Sequence, residues 1–311
     1  MEAIRCQGVC KDYRVGFWRQ RVRVLHDLEL TVGAGETFGY LGPNGAGKTT
    51  TIKILLGLLR PTAGSAWLCG REASRPEARS VAGFLPETPA FYDYLTGEEF
   101  LAFMAQLAGL PRAMAREQIP ALLDRVGLSG AGTRQLRKYS KGMLQRIGMA
   151  QALLGDPAVV ILDEPMSGLD PIGRKEIRDI MVGLRKEGRT VFFSPHIIPD
   201  VEMLCDRVGI LLGGRLARIG RLGELLETEI DSVEVTLADL PPEAAAALAD
   251  GALAPPLVQG DRVQLRLRGE GGVDAVLRRT LAAGGRVLSV VPHRRTLEEI
   301  FLAEVAERGR R

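Results

Sequence analysis

Apolar and polar residues along this chain follow two periods, and the switches between them mark its elements. Residues 158–162 (AVVIL) and 190–194 (TVFFS) are continuous apolar runs, β-branched and aromatic. Such runs predict strands buried on both faces of a parallel sheet. Residues 36–41 (ETFGYL) predict another strand, which leads into a glycine-rich loop. Beyond that loop Ile52, Leu55, Leu56 and Leu59 share one helical face, and the helix is expected to end near Arg60 and Pro61. Short strands alternating with amphipathic helices predict an α/β architecture.

Residues 87–154 break that rhythm, being poor in strand patterns and rich in helical ones. In TGEEFLAFMAQLAGLP, Thr96 precedes Glu99 by three residues, a capping box, and Phe100, Phe103, Met104 and Leu107 form the expected apolar stripe. Pro111 closes the segment. In YSKGMLQR (139–146), Ser140 is the expected N-cap of a helix carrying Met143, Ile147, Ala150 and Leu154, stopped by Gly155 and Pro157. This region reads as a helical subdomain inserted into the sheet domain. After about Thr228 the pattern changes again. Strands at 232–240, 262–269 and 286–292 alternate with helices at 241–251, 272–285 and 296–309. That order, close to β-α-β-β-α-β, predicts a small α+β domain of split-βαβ, ferredoxin-like type.

Composition adds limits. With 46% hydrophobic and 25% charged residues, the 311-residue chain has the profile of an ordinary soluble domain plus a smaller one. A net charge of +3 offers no electrostatic footprint for nucleic acid. No apolar run reaches the roughly 20 residues of a membrane span, and residues 1–15 lack an apolar signal core, so a cytosolic chain is expected. Cys6, Cys10, Cys69 and Cys205 show no metal-ligand spacing and are expected to be reduced, buried small side chains.

The strongest chemical signal is Gly42-Pro-Asn-Gly-Ala-Gly-Lys48-Thr49, a complete GxxxxGK[ST] between a predicted strand and a predicted helix. Gly42, Gly45 and Gly47 let backbone N–H groups converge on a polyphosphate. Lys48 reaches its β- and γ-phosphates, and the Thr49 hydroxyl serves Mg²⁺. Residues 159–165 (VVILDEP) end a buried strand in two acids, where parallel sheets bind ligands. Asp163 is the candidate Mg²⁺ holder, directly or through water, and Glu164 the candidate general base. His196, closing the strand at 190–194, is placed to contact a γ-phosphate, whereas His26 and His293 are expected to be structural. Ser140 and Gly142 open a second helix whose free N–H groups form an anion site.

In this order, the P-loop, YSKGM, ILDEP, SGLD (167–170) and the later histidine resemble the nucleotide-binding subunit of an ATP-binding cassette (ABC) transporter over about residues 1–226. The resemblance implies a P-loop NTPase fold and the cofactors ATP and Mg²⁺. It implies that Tyr13 stacks on adenine, that Asn44 and Thr50 belong to the nucleotide loop, and that Asp170 lies on an interface loop. His196 would be the switch histidine, and YSKGM stands where the family has LSGGQ. Glu87 stands where the family usually has a glutamine that bridges metal, attacking water and membrane partner. A carboxylate there keeps the ligand oxygen and adds negative charge near the γ-phosphate. Lys141 and Met143 replace the signature's usual Gly and Gln.

The segment VVPHRRTLEEIFL (290–302) is similar to the accessory domain of type-2 ABC exporter ATPases, so residues 227–311 are expected to dimerise, regulate turnover or contact a membrane subunit. The basic stretch FWRQRVR (17–23) is expected to be a solvated hairpin turn near the adenine site. The expectation is an exporter ATPase on the cytoplasmic face of the membrane. It would form a head-to-tail homodimer and power separate integral membrane permease subunits. The alternative is a soluble ABC ATPase acting on ribosomes or nucleic acid. Such proteins usually carry tandem cassettes or long coiled-coil insertions, and the sequence shows neither.

Overall fold

The computed structural model describes residues 1–16, 20–195, 197–226, 232–241, 243–244, 248, 252–269, 272–293 and 296–309. Two compact units divide the chain, Met1–Leu222 and Gly223–Arg311. The first contains β1 (Glu2–Val15), β2 (Gln20–Gly33), β3 (Thr37–Leu41), α1 (Lys48–Leu55), β4 (Ala63–Leu68), β5 (Arg71–Glu72), α2 (Pro76–Arg79) and β6 (Ala82–Leu85). It continues through α3 (Gly97–Leu107), α4 (Arg112–Arg125), α5 (Lys141–Ala152), β7 (Val159–Asp163), α6 (Pro171–Lys186), β8 (Thr190–Ser194), α7 (Ile198–Leu204), β9 (Arg207–Leu212) and β10 (Arg215–Arg221).

The continuous apolar runs are the central strands of a six-stranded sheet, ordered β10-β9-β3-β8-β7-β6. All its pairings are parallel except that of β10 with β9. β3, β7 and β8 are buried along their whole length. Phe38 and Phe192, partners in the β3–β8 register, stack at 5.7 Å. The second sheet, β2-β1-β4-β5, is antiparallel and was not legible in the apolar runs. Its long strands are broken by register shifts that blur their alternation. α1 contacts β2 and β4 of this sheet and β7 of the other, so its apolar residues join one core with both.

α1 ends at Leu55, before the expected Arg60 and Pro61. Gly57, at φ 65°, donates to Ile54 O while Leu58 donates to Lys53 O, a glycine-closed Schellman stop that propensity alone overlooks. Between the parallel neighbours β6 and β7 lie α3, α4 and α5, with no named strand among the described residues. The Thr96–Glu99 capping box forms in both directions. The expected stripe on α3 is turned by about one position: Phe100, Leu101 and Ala105 are buried, whereas Leu107 is 65% exposed. Two partners cause the turn, since α3 packs on α4 and α5 together.

The second unit holds β11 (Ser232–Ala238), β12 (Leu257–Gln259), β13 (Arg262–Arg268), α9 (Val273–Ala282), β14 (Arg286–His293) and α10 (Leu297–Gly309); a short helix, α8 (Leu222–Leu226), spans the division between units. Its antiparallel sheet is ordered β12-β13-β11-β14, the order that a split-βαβ chain produces. Val233, Val235, Leu237, Val263, Leu265 and Leu267 alternate inward and build its core with Val276. Most of the helix expected at 241–251 lies outside the described residues, as do Phe17, Trp18 and Arg19 of the basic stretch. Around that stretch β1 and β2 do form a hairpin, and Arg23 donates to Asp12 Oδ1 at 2.6 Å.

The cysteines correct one expectation. Cys6 and Cys205 are buried, and burial pushes the Cys6 thiol up to about 12. Cys10 is only partly covered and Cys69 is exposed, because Cys69 occupies the tight β4–β5 turn at φ 48°. No helix among the described residues is long and apolar enough to cross a membrane.

Candidate active site

The glycine-rich loop leaves β3 and enters α1 through Gly47, whose φ of 109° and lack of any capping side chain leave the first N–H groups of α1 without side-chain partners. A Cβ at Gly47 would lie 2.7 Å from Leu25 Cδ2, so backbone conformation and packing both demand glycine there. Lys48 spans the loop, donating Nζ to Gly42 O at 2.7 Å and to Pro43 O at 3.4 Å. Burial pulls the Lys48 ammonium below the usual lysine range, and the carboxylates of Glu164, Asp163 and Glu87 act against that shift. An ammonium held by two carbonyls and faced by three acids is poised to exchange the carbonyls for phosphate oxygens.

Asp163 ends β7 and is 3% exposed. Its Oδ2 accepts from Thr49 Oγ1 at 3.1 Å and its Oδ1 from Ser194 Oγ. Glu164 follows in the left-handed region, φ 47°, an uncommon conformation for a non-glycine residue. Its N–H is pinned by Ser194 O at 3.0 Å and Ser194 Oγ at 3.2 Å. That local strain, held by β8, turns the carboxylate out of the sheet into an open cleft of about 520 Å³. Asn44, Gly45, Gly47, Lys48, Thr49, Thr50, Glu87 and Glu164 all line this cleft, with Val24 and Ser167. Tyr13 stands at its margin: Lys11 Nζ lies 5.4 Å from the ring centroid and Tyr13 Oη is 3.4 Å from Thr50 Oγ1.

Three expected residues lie at the starts of other helices. Ser140 accepts from Met143 N at 3.3 Å as the N-cap of α5, with Gly142 the second residue of the helix. Asp170 accepts from Gly173 N at 2.8 Å and caps α6. None of the three lines the P-loop cleft. His196 lies outside the described residues. Ser194 was missed by sequence reasoning; its only signal was a polar side chain at the end of a continuous apolar strand.

Among the described residues no cluster of three or more His, Cys, Asp or Glu could hold a metal. The donor set here is instead one hydroxyl, Thr49, in contact with one carboxylate, Asp163. Such a set suits Mg²⁺, which takes few protein ligands and completes its shell with water and substrate phosphates.

A family model described as ABC transporter matches residues 25–167, from the strand beside the loop to the segment after Glu164. An uncharacterized ABC transporter ATP-binding protein of Synechocystis sp. is 43% identical over 306 residues, covering 97% of this chain and 84% of its own length. The chain belongs to the ABC transporter ATP-binding subunits. It is thus an ABC ATPase. A fluoroquinolones export ATP-binding protein of Mycobacterium tuberculosis is 40% identical over 226 residues, 72% of each chain. A solved structure of an ATP binding subunit of an ABC transporter superposes with a TM-score of 0.63 at 33% identity, over 72% of this chain and 91% of the other.

In this ABC subunit Glu87 is an exposed carboxylate on the cleft wall. Glu87→Gln removes one negative charge facing the phosphates, and metal-free ATP should bind about threefold tighter, the modest effect of an exposed charge. A fluorescent-nucleotide titration with chelator checks this; unchanged affinity would show that the charge is not felt.

Proposed function

We propose that this chain is the energy-supplying subunit of an ABC exporter, hydrolysing Mg-ATP as a head-to-tail homodimer on the cytoplasmic face of a membrane whose permease subunits are separate polypeptides. Residues 1–226 would be the ATPase domain, with 87–154 as its helical subdomain, and 227–311 an accessory domain. One observation carries the reading. The P-loop, Asp163, Glu164 and Glu87 converge, while Ser140 and Gly142, the second anion-binding helix start, line no part of the same cleft. A subunit with half of each of two phosphate sites is completed by another copy. Export as the direction is supported by the name of the mycobacterial relative and by the C-terminal resemblance.

In this mechanism ATP is held by the N–H groups at the start of α1, with Tyr13 against the adenine. Lys48 moves from the loop carbonyls to the β- and γ-phosphates. Thr49 and Asp163 would hold Mg²⁺, which would supply positive charge to the phosphate oxygens. Glu164 takes a proton from the attacking water as the γ-phosphoryl transfers to it, yielding ADP and phosphate. His196 would contact the γ-phosphate, and Ser140, Gly142 and Asp170 of the second copy would close the site.

Ser140→Arg tests the sharing. The substitution removes a helix cap worth about 1 kcal/mol and puts a bulky cation where the second copy's γ-phosphate would sit. ATP binding by the variant should match the wild type while hydrolysis disappears. An active monomer carrying the change would overturn the shared site. Co-purification of a membrane subunit encoded beside this chain tests the permease; salt-sensitive RNA binding without membrane association would favour a soluble ABC ATPase.

A further inference from the structure

α5 runs beside the loop that joins Glu164 to α6; one hydrogen bond and one packed lysine side chain join the helix to the loop, and an ion pair joins it to α6. Gln145, buried in mid-helix, donates Nε2 to Pro165 O at 2.8 Å. Arg146 Nε stands 3.3 Å from Glu176 Oε2 on α6. Lys141, one turn before Gln145 on the same face, lies over Gly168: a Cβ built there would be 1.9 Å from Lys141 Nζ and 3.0 Å from its Cε. Gly168 has φ 65°, so the loop turns its bare α-carbon toward the lysine.

The same loop controls the cleft from its other side. Ser167 donates its N–H to Glu164 O at 3.0 Å and lines the cleft, and Leu169 N reaches Met166 O at 3.4 Å. A displacement of the loop at Gly168 is therefore transmitted to Ser167 and to the strained backbone of Glu164. Lys141 does not line its own chain's cleft, so within its own subunit it reaches the reaction through the loop.

We propose that Lys141 and Gln145 are positioning residues that tie the start of α5 to the loop carrying Glu164 and Ser167. Resting on the shared-site reading above, the tie makes the segment that reads the second copy's phosphate one body with the subunit's own general base. The replacement of a signature glycine by Lys141 then has a mechanical role, since glycine could not reach Gly168.

The test uses the full chain with Lys141→Met, which keeps the stem and removes the ammonium, and Lys141→Arg, which keeps a cation of similar reach. In nucleotide-free protein, Lys141→Met should speed amide hydrogen exchange at Ser167 and Leu169 about fivefold, with Lys141→Arg near the wild type. With Mg-ATP, Lys141→Met should lower kcat about tenfold with an unchanged Kd for ATP, and Lys141→Arg should restore most of it. Unchanged exchange in Lys141→Met overturns the tie. Faster exchange with unchanged kcat, or a kcat loss matched by weaker ATP binding, overturns the positioning role. Failure of the shared-site reading shows separately, as full hydrolysis in Ser140→Arg, because the exchange measurement needs neither nucleotide nor a second copy.

Discussion

Lys48→Ala should weaken ATP binding by about a hundredfold, near 2.7 kcal/mol, the loss of one or two charge-assisted hydrogen bonds to phosphate. Two effects act in the same direction. The substitution removes the buried ammonium that now bonds Gly42 O and Pro43 O. It also leaves the carboxylates of Asp163, Glu164 and Glu87, all of which act on Lys48, without their counter-charge beside the incoming phosphates. The fold should survive, because α1 keeps Ile52, Ile54 and Leu55 in the core between the sheets. Titration with a fluorescent ATP analogue checks this; binding within threefold of the wild type would remove Lys48 from the phosphate site.

Glu164→Gln should lower kcat about a thousandfold, within the range for loss of a general base, while leaving ATP binding intact. Glutamine has nearly the shape of glutamate and can keep the backbone at φ 47°, held by Ser194 on one side and by the Ser167 turn on the other. The substitution therefore removes the proton acceptor without moving the loop. ATP bound but not hydrolysed should hold two copies together, and light scattering with Mg-ATP should show a doubled mass that the wild type shows only transiently. A Glu164→Gln protein that stays monomeric and turns over at the wild-type rate would sink both the base assignment and the dimer.

Local and long-range features of the chain differ in how far the sequence reveals them. The glycine-rich loop, the Thr96–Glu99 capping box and the Ser140 cap were legible because each is a short-range device, closed by hydrogen bonds within a few residues. The apolar runs of β3, β7 and β8 were legible because burial on both faces confines polar residues to the strand ends. The antiparallel sheet of β1, β2, β4 and β5 was not, since its register shifts break the period of two. The face of α3 was misread at Leu107 because two helices, rather than one surface, decide which side is covered.

By itself, then, the sequence determined a phosphate loop, a strand ending in two acids and a second capped helix start, because local backbone chemistry specifies each. Only the tertiary structure decided that Asp163 meets Thr49, 114 residues away, that Ser194 pins Glu164, and that Lys141 lies on Gly168. It also decided that the second helix start lines no part of its own chain's cleft. The reason is physical: contacts between distant residues follow from strand order and from the packing of helices on the sheet, and neither the period of an apolar pattern nor the spacing of a motif encodes that order.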